Sequence, residues 1–229
     1  MKKYLTLSNI YFFISLCLST ALAIVFSSLN TWIIWASSIL GIFSSKTASE
    51  GKWTTFIFDI LSYALYIYIC IVEIYYGELT LSCIIILIHF FSLFQWKKNQ
   101  DNDSIVKVNS LGKKEILVSS AISIVAFILY GVALYFLGSK LPFLNAIPTI
   151  VYLLGNYFCF RRSSLQFICW ILYEVFFIAL WVIAAINGEI GSIIFLIGGI
   201  SEFVYGILGL IEWHKIKEKQ KNVVNIHEN

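Results

Sequence analysis

RRSSLQFICWILYEVFFIALW, residues 161–181, decides how this chain is read. Two arginines open an apolar run near the length of about 20 residues that crosses a bilayer. Within the run stands one carboxylate, Glu174, among aromatics. Trp170, Glu174, Phe177 and Trp181 are spaced four, three and four apart, so a helix carries them on one face. A carboxylate turned to lipid costs on the order of 2.5–3.5 kcal/mol at mid-bilayer, even on the lenient insertion scale. Glu174 is therefore expected to face a protein interior or a polar cavity, with the aromatics of its face beside it. Aromatic planes around one acid suit a flat, polar or cationic small molecule. The plainer alternative is a Glu174 that bonds a neighbouring helix among aromatics that only pack.

Composition extends this reading to the whole chain. Of its residues 59% are hydrophobic and 13% charged, against about 25% charged in ordinary soluble domains. Apolar runs occupy residues 4–27, 30–43, 53–76, 79–96, 116–137, 141–160, 165–186 and 190–212. This is an all-α polytopic membrane protein with eight expected spans. The net charge of +3 does not point to nucleic acid, because the basic residues sit in short loops beside the spans. Cys17, Cys70, Cys83, Cys159 and Cys169 lie in or at the ends of apolar runs without ligand spacing, so neither a metal site nor a disulfide framework is read. No phosphate-binding loop, hydrolase or metalloprotease signature appears, and no cofactor is implied. The first run resembles a signal peptide, but its apolar stretch exceeds the usual roughly 7–15 residues and Asn9 interrupts it. It is read as a retained helix.

Charge sets the expected orientation. With eight spans, every one of the 16 lysines and arginines except Lys140 falls on the side of the two termini. The positive-inside rule puts that side in the cytoplasm, together with the polar linker 97–115. Trp53, Trp96 and Trp213 fall at the cytoplasmic ends of spans, where interfacial tryptophans belong.

Three pairs of segments recur in the same order. LNTWIIWASSILGIF (29–43) parallels LNAIPTIVYLLGNYF (144–158), YYGEL (75–79) parallels INGEI (186–190), and SLFQWKK (92–98) parallels GLIEWHK (209–215). Together they imply duplication. Equivalent spans lie four apart and point the same way, which makes a parallel repeat about an axis along the membrane normal. The expected organisation is an N-terminal helix (1–28), a first three-helix repeat (29–96), a linker and connecting helix (97–138), a second repeat (139–213) and a cytoplasmic tail (214–229).

Other polar residues inside the spans are candidates for the same cavity. Phe56, Asp59, Tyr63, Tyr66, Cys70 and Glu73 share a face of the third span, with Asp59 about two turns from its cytoplasmic end. Glu73 is close enough to the outer end to reach headgroups. His89 shares a face with Ser82, Ser92 and Trp96; it either contacts a ligand, relays a proton, or bonds an adjacent helix as a neutral group. On the eighth span Glu202, Tyr205, Gly209 and Trp213 share a face, one turn after Gly198 and Gly199. Glu202 ranks after Glu174, and Asn156 is the deeper of the two asparagines of the sixth span.

The segment 144–189 resembles the second repeat of the PnuC family of vitamin-precursor transporters. That family shows a basic pair, a tryptophan, a second tryptophan three residues on and a polar residue, often asparagine, four further. This chain has Arg161-Arg162, then Phe167, Trp170 and Glu174: the spacing holds and two identities differ. The family's Gly-x-x-x-Trp is matched by Gly209 to Trp213 and altered to Ser92 to Trp96 in the first repeat. The resemblance implies a three-plus-one-plus-three core of the SWEET-like and PnuC-like plan after one extra helix. It implies facilitated uptake, across the inner or plasma membrane, of a vitamin precursor or nucleoside, most commonly nicotinamide riboside, that a cytosolic kinase then traps. The substrate-binding residues expected on these grounds are Phe167, Trp170, Glu174, Phe177, Trp181, Asp59, Tyr63, His89, Asn156 and Glu202. Thiamine or a (deoxy)nucleoside remains open as the ligand, and a homo-oligomer is left open. A membrane receptor, or an intramembrane enzyme using Glu174 and Glu202 as an acid pair, is the more distant alternative.

Overall fold

The computed structural model describes residues 2–72, 76–138, 142–186 and 191–227. Glu73, Lys140 and the Gly188-Glu189 turn lie outside them. Eight helices run in order through the described residues: α1 (Lys2–Val25), α2 (Leu29–Ser49), α3 (Thr55–Val72), α4 (Tyr76–Lys98), α5 (Lys113–Phe136), α6 (Pro142–Phe160), α7 (Leu165–Ile186) and α8 (Gly191–His227). Seven of them contain stretches long and apolar enough to cross a membrane; α2 is the exception.

The lower hydropathy of α2 follows from where it sits. Its 21 residues rise about 31 Å at 1.5 Å each, close to the thickness of a hydrocarbon core. Ser37, Ser38, Ser44 and Ser49 are buried against protein. Ser37 Oγ donates to the Ser62 carbonyl at 3.0 Å, Ser62 Oγ donates back to the Ser37 carbonyl at 2.8 Å, and Thr55 Oγ1 donates to the Ser44 carbonyl at 3.0 Å. Small hydroxyl residues let α2 and α3 approach closely, the way helices associate where water gives no drive. At its start Ser28 caps the helix by accepting from the Thr31 amide at 3.1 Å.

Sequential neighbours pack antiparallel, α2 on α3, α3 on α4, α5 on α6, α6 on α7 and α7 on α8. Two contacts join helices distant in sequence: α2 lies against α8 and α4 against α6. Among the described residues α5 packs on α6 alone, and α1 closes on α2 and α8, with Tyr205 Oη donating to the Ser8 carbonyl at 3.1 Å.

Trp96 and Trp213 differ from the sequence expectation. Both are wholly buried, their rings 5.3 Å apart, rather than turned to headgroups. Trp96 Nε1 donates to the Cys159 carbonyl at 2.8 Å, and Trp213 Nε1 donates to the Ala48 carbonyl at 2.9 Å. Each indole adds a second donor to a carbonyl in the last turn of a facing helix, beside the turn amide of Arg162 at Cys159 and of Gly51 at Ala48. With Phe56, Val106, Cys159 and Phe167 they form an apolar plug at one end of the bundle. Trp53 packs against that plug half-buried, with Lys97 Nζ 5.0 Å from its ring centre.

The linker between α4 and α5 is an ordered cap over this plug. Val106 is buried, and its amide donates to the Gly51 carbonyl at 2.9 Å. The Asn109 amide donates to the Arg162 carbonyl at 2.9 Å, and the Val108 amide to Gln220 Oε1 at 2.9 Å. The linker thus ties the α2–α3 turn, the α6–α7 turn and α8 together. Gly51 holds φ +71°, a left-handed turn that glycine takes without strain. Arg161 Nε lies 3.1 Å from Glu115 Oε1 and Nη2 donates to Oε2 at 3.1 Å, a forked pair that fastens α5 to α6.

A candidate substrate site among α2, α3, α4, α6, α7 and α8

On α7 the four-three-four spacing works as expected at its centre. Glu174 is 3% exposed and turns inward, away from lipid. Gly155 on α6 makes room for the Trp170 indole; a Cβ there would stand 2.8 Å from its Cδ1. Gly199 on α8 does the same for Phe177, at 2.8 Å from Cδ1.

Two cavities follow the bundle axis. The one farther from the plug, about 90 Å³, is lined by Ser37, Ser38, Tyr63, Glu174, Phe177 and Glu202, among others. The nearer one, about 40 Å³, is lined by Asp59, His89, Phe167, Trp170, Glu174 and Glu202, with Tyr205 behind. Tyr152, Glu174 and Glu202 line both, and so stand between them. The Glu174 and Glu202 carboxyls come together at that wall. Neither cavity has a lysine or arginine among its described lining residues. Glu174 Oε2 and Ser38 Oγ are buried without a protein partner.

A second polar chain braces the nearer cavity. His89 Nε2 and Asn156 Oδ1 lie 2.7 Å apart, while Asn156 Nδ2 donates to the Tyr152 carbonyl at 2.9 Å. With the amide nitrogen so engaged, Oδ1 is the acceptor, and the network assigns a proton to His89 Nε2. His89 Nδ1 then faces Asp59 Oδ2 at 3.4 Å, ion-pair range with an angle unsuited to a hydrogen bond. Tyr63 and Tyr152 join their hydroxyls, and Tyr173 packs on Tyr152 with ring centres 4.5 Å apart.

Of the residues singled out in the sequence, Asp59, Tyr63, His89, Trp170, Glu174, Phe177 and Glu202 come together around these cavities. Phe167 reaches the nearer one, but it is 1% exposed and belongs to the plug, edge-on to Trp213 at 5.3 Å. Asn156 lines neither cavity and acts on them through His89. Trp181 lines neither as well; it stacks on Phe195, itself a lining residue, at 4.4 Å. The spacing missed Tyr152, Tyr173 and the serines of α2. Tyr152 carries a legible signal, one turn before Asn156 on the same face of α6. Ser37 and Ser38 lay inside the short run without an acid or aromatic pattern to single them out, and Ser44 and Ser45 lay in its polar flank. Arg161 and Arg162 point away from the cavities: the first grips Glu115 and the second donates through Nη1 to the Lys107 carbonyl at 3.3 Å.

A family model described as nicotinamide mononucleotide transporter matches residues 31–215. The chain is 24% identical over 196 residues to the nicotinamide riboside transporter PnuC of Neisseria mucosa, covering 83% of this chain and 74% of that one. It is 24% identical over 156 residues to the nicotinamide riboside transporter PnuC of Haemophilus influenzae, covering 66% and 69%. Among solved structures, the crystal structure of the vitamin B3 transporter PnuC shares the fold at a TM-score of 0.80 and 23% identity, over 93% of this chain and 92% of that one.

Proposed function

This chain belongs to the nicotinamide mononucleotide transporter family, and from that premise we propose that it carries nicotinamide riboside across the membrane by facilitated diffusion. It is a multi-pass membrane protein of a transporter family, not of an enzyme family. The relatives' names give the riboside and the family's description gives the mononucleotide, which differ by a phosphate. One observation favours the riboside. Asp59, Glu174 and Glu202 line the cavities, and no described lysine or arginine faces them. A phosphate would meet three carboxyl groups and no counter-charge. The N-ribosylated nicotinamide ring bears a fixed positive charge, and one carboxylate 4 Å from it is worth about 4 kcal/mol at an effective dielectric near 20. Trp170 and Phe177 supply aromatic faces for the ring, adding about 0.5–2 kcal/mol each where a cation is desolvated over one.

The mechanism is alternating access between two parallel three-helix units, 29–96 and 139–213, joined by α5 within 97–138 and flanked by 1–28 and the tail 214–229. Support comes from a matched pair of bonds. Trp96 ties α4 to the end of α6, and Trp213 ties α8 to the end of α2. The contacts of α4 with α6 and of α2 with α8 match in the same way, as a two-fold axis along the membrane normal requires. On this reading α2 spans with the other seven helices, its serines turned inward. The basic residues put the linker and both termini in the cytoplasm. Release there requires the Trp96–Trp213 plug to part, after which a cytosolic kinase retains the product.

A ligand screen on the purified protein tests the substrate. Nicotinamide riboside is expected to raise the unfolding temperature, since a ligand of the folded state stabilises it by mass action. Nicotinamide mononucleotide is expected to leave it unchanged. Stabilisation by the mononucleotide but not the riboside contradicts the proposal; stabilisation by thiamine or a deoxynucleoside alone transfers the carrier to that ligand.

A further inference from the structure

Tyr152, Glu174 and Glu202 line both cavities, so their side chains form the wall between them. At about 90 Å³ and 40 Å³ the two spaces take a few water molecules each rather than a nucleoside. A ligand lying across both has to part that wall. Two carboxyl groups meet in it, and no lysine or arginine stands among the described residues of either lining. Ionised carboxylates only accept and repel one another, so the two groups close the wall together only with one proton between them.

The pair is built to be closed and to open. Gly41 on α2 leaves the place that Glu202 Oε1 occupies, since a Cβ there would lie 2.7 Å from it. Gly199 leaves similar room at Glu174 Oε2, 3.2 Å from where its Cβ would stand. That second oxygen is buried and has no protein partner, although Glu174 is only 3% exposed. It is a free acceptor at the cavity wall. The groups around the pair come from every packed helix. From α3 they are Asp59, Tyr63 and Tyr66, from α4 His89, and from α6 Tyr152. Beside Glu174 on α7 is Tyr173, α8 adds Tyr205, and α2 offers only serine hydroxyls. None of them is a permanent cation that could replace the proton.

We propose that a cationic ligand and a proton compete for the Glu174–Glu202 pair. The ligand's fixed positive charge takes the place of the shared proton, the carboxyls separate, and the two cavities become one. The exchange balances: one O–H bond breaks, the proton passes to water in the opened cavity, and one positive charge replaces another. This rests on the cationic ligand of the preceding section. Its consequence is linkage. While the empty pair holds its proton, the ligand's dissociation constant rises about tenfold for each unit that pH falls.

The test is calorimetric titration of the full-length protein in lipid nanodiscs with nicotinamide riboside, in two buffers of different ionisation enthalpy. About one proton is expected to leave per ligand bound. Glu174→Gln and Glu202→Gln are expected to release almost none, because a carboxamide donates to a carboxylate without a shared proton. Where a variant binds too weakly to titrate, the infrared difference spectrum of the parent protein gives the second readout. Addition of the riboside is expected to remove the protonated-carboxyl stretch. Binding with no proton release, or with the carboxyl band unchanged, overturns the inference and leaves the substrate reading standing. Release that persists in both glutamine variants assigns the proton to His89, Asp59 or the tyrosines and also overturns it. A parent protein that binds no riboside at any pH overturns the substrate reading itself.

Discussion

Replacing Trp170 with alanine isolates the aromatic half of recognition from the charged half. The indole lines the nearer cavity, stands edge-on to Phe167 with ring centres 5.5 Å apart, and fills the space Gly155 leaves open. Its Nε1 is buried without a protein partner. By analogy with stacking of bases on aromatic side chains, removal is expected to cost about 1–3 kcal/mol of ligand affinity. At about 1.4 kcal/mol per decade, the dissociation constant for nicotinamide riboside rises roughly tenfold to a hundredfold. Truncation beside a glycine also leaves a hole, so thermal unfolding has to be followed in parallel with calorimetric binding. Trp170→Phe keeps a ring face while losing the unpartnered N–H and part of the indole's area; it is expected to bind closer to the parent than the alanine variant does. A folded Trp170→Ala protein with parental affinity for the riboside would refute the reasoning and leave Trp170 as packing.

Three further outcomes are expected. Trp213→Phe removes the indole donor from the Ala48 carbonyl, which keeps the Gly51 amide, so stability should fall by about 0.5–1.5 kcal/mol, read as a lowered unfolding temperature; an unchanged value would mean the plug does not depend on that bond. Burial pushes the Glu50 carboxyl up, but hydrogen bonds from Lys52 and Lys46 outweigh it and hold the group below the ordinary carboxylate range. Its contribution to stability is therefore present above the unfolded value and lost as pH falls through the folded one; acid unfolding of Glu50→Gln should lack this component, and matching acid profiles would remove the role. A cysteine at Ser104 should resist a membrane-impermeant thiol reagent in intact cells, and labelling there would reverse the orientation.

The helical plan was open to reading because apolar length and charge act locally. Seven runs stand out by composition, and α2 was found as a short run whose polar flanks concealed its length. Those serines are buried against α3 and α8, a tertiary fact no hydropathy window carries. The inward turn of Glu174 was legible from spacing and the cost of a charge in lipid. Its meeting with Glu202 entered only as a distant acid-pair alternative, since it depends on room left by Gly41 on α2 and by Gly199 on α8 itself, which spacing along one helix does not carry. Trp96 and Trp213 were misplaced at the interface because position in a span says nothing of whether an indole faces lipid or a carbonyl. Trp181 shared the helical face but stands where Phe195 intervenes between it and the cavity. The linker offered no pattern at all, because backbone amides rather than side-chain motifs fasten most of it.

Flux through sealed liposomes containing only this protein tests the central claim most directly. Labelled nicotinamide riboside inside and outside should equilibrate without ATP or a sodium gradient, while nicotinamide mononucleotide stays where it was loaded. Riboside that does not cross, or mononucleotide that crosses as fast, would contradict a carrier whose cavity is lined by Asp59, Glu174 and Glu202 without a facing cation.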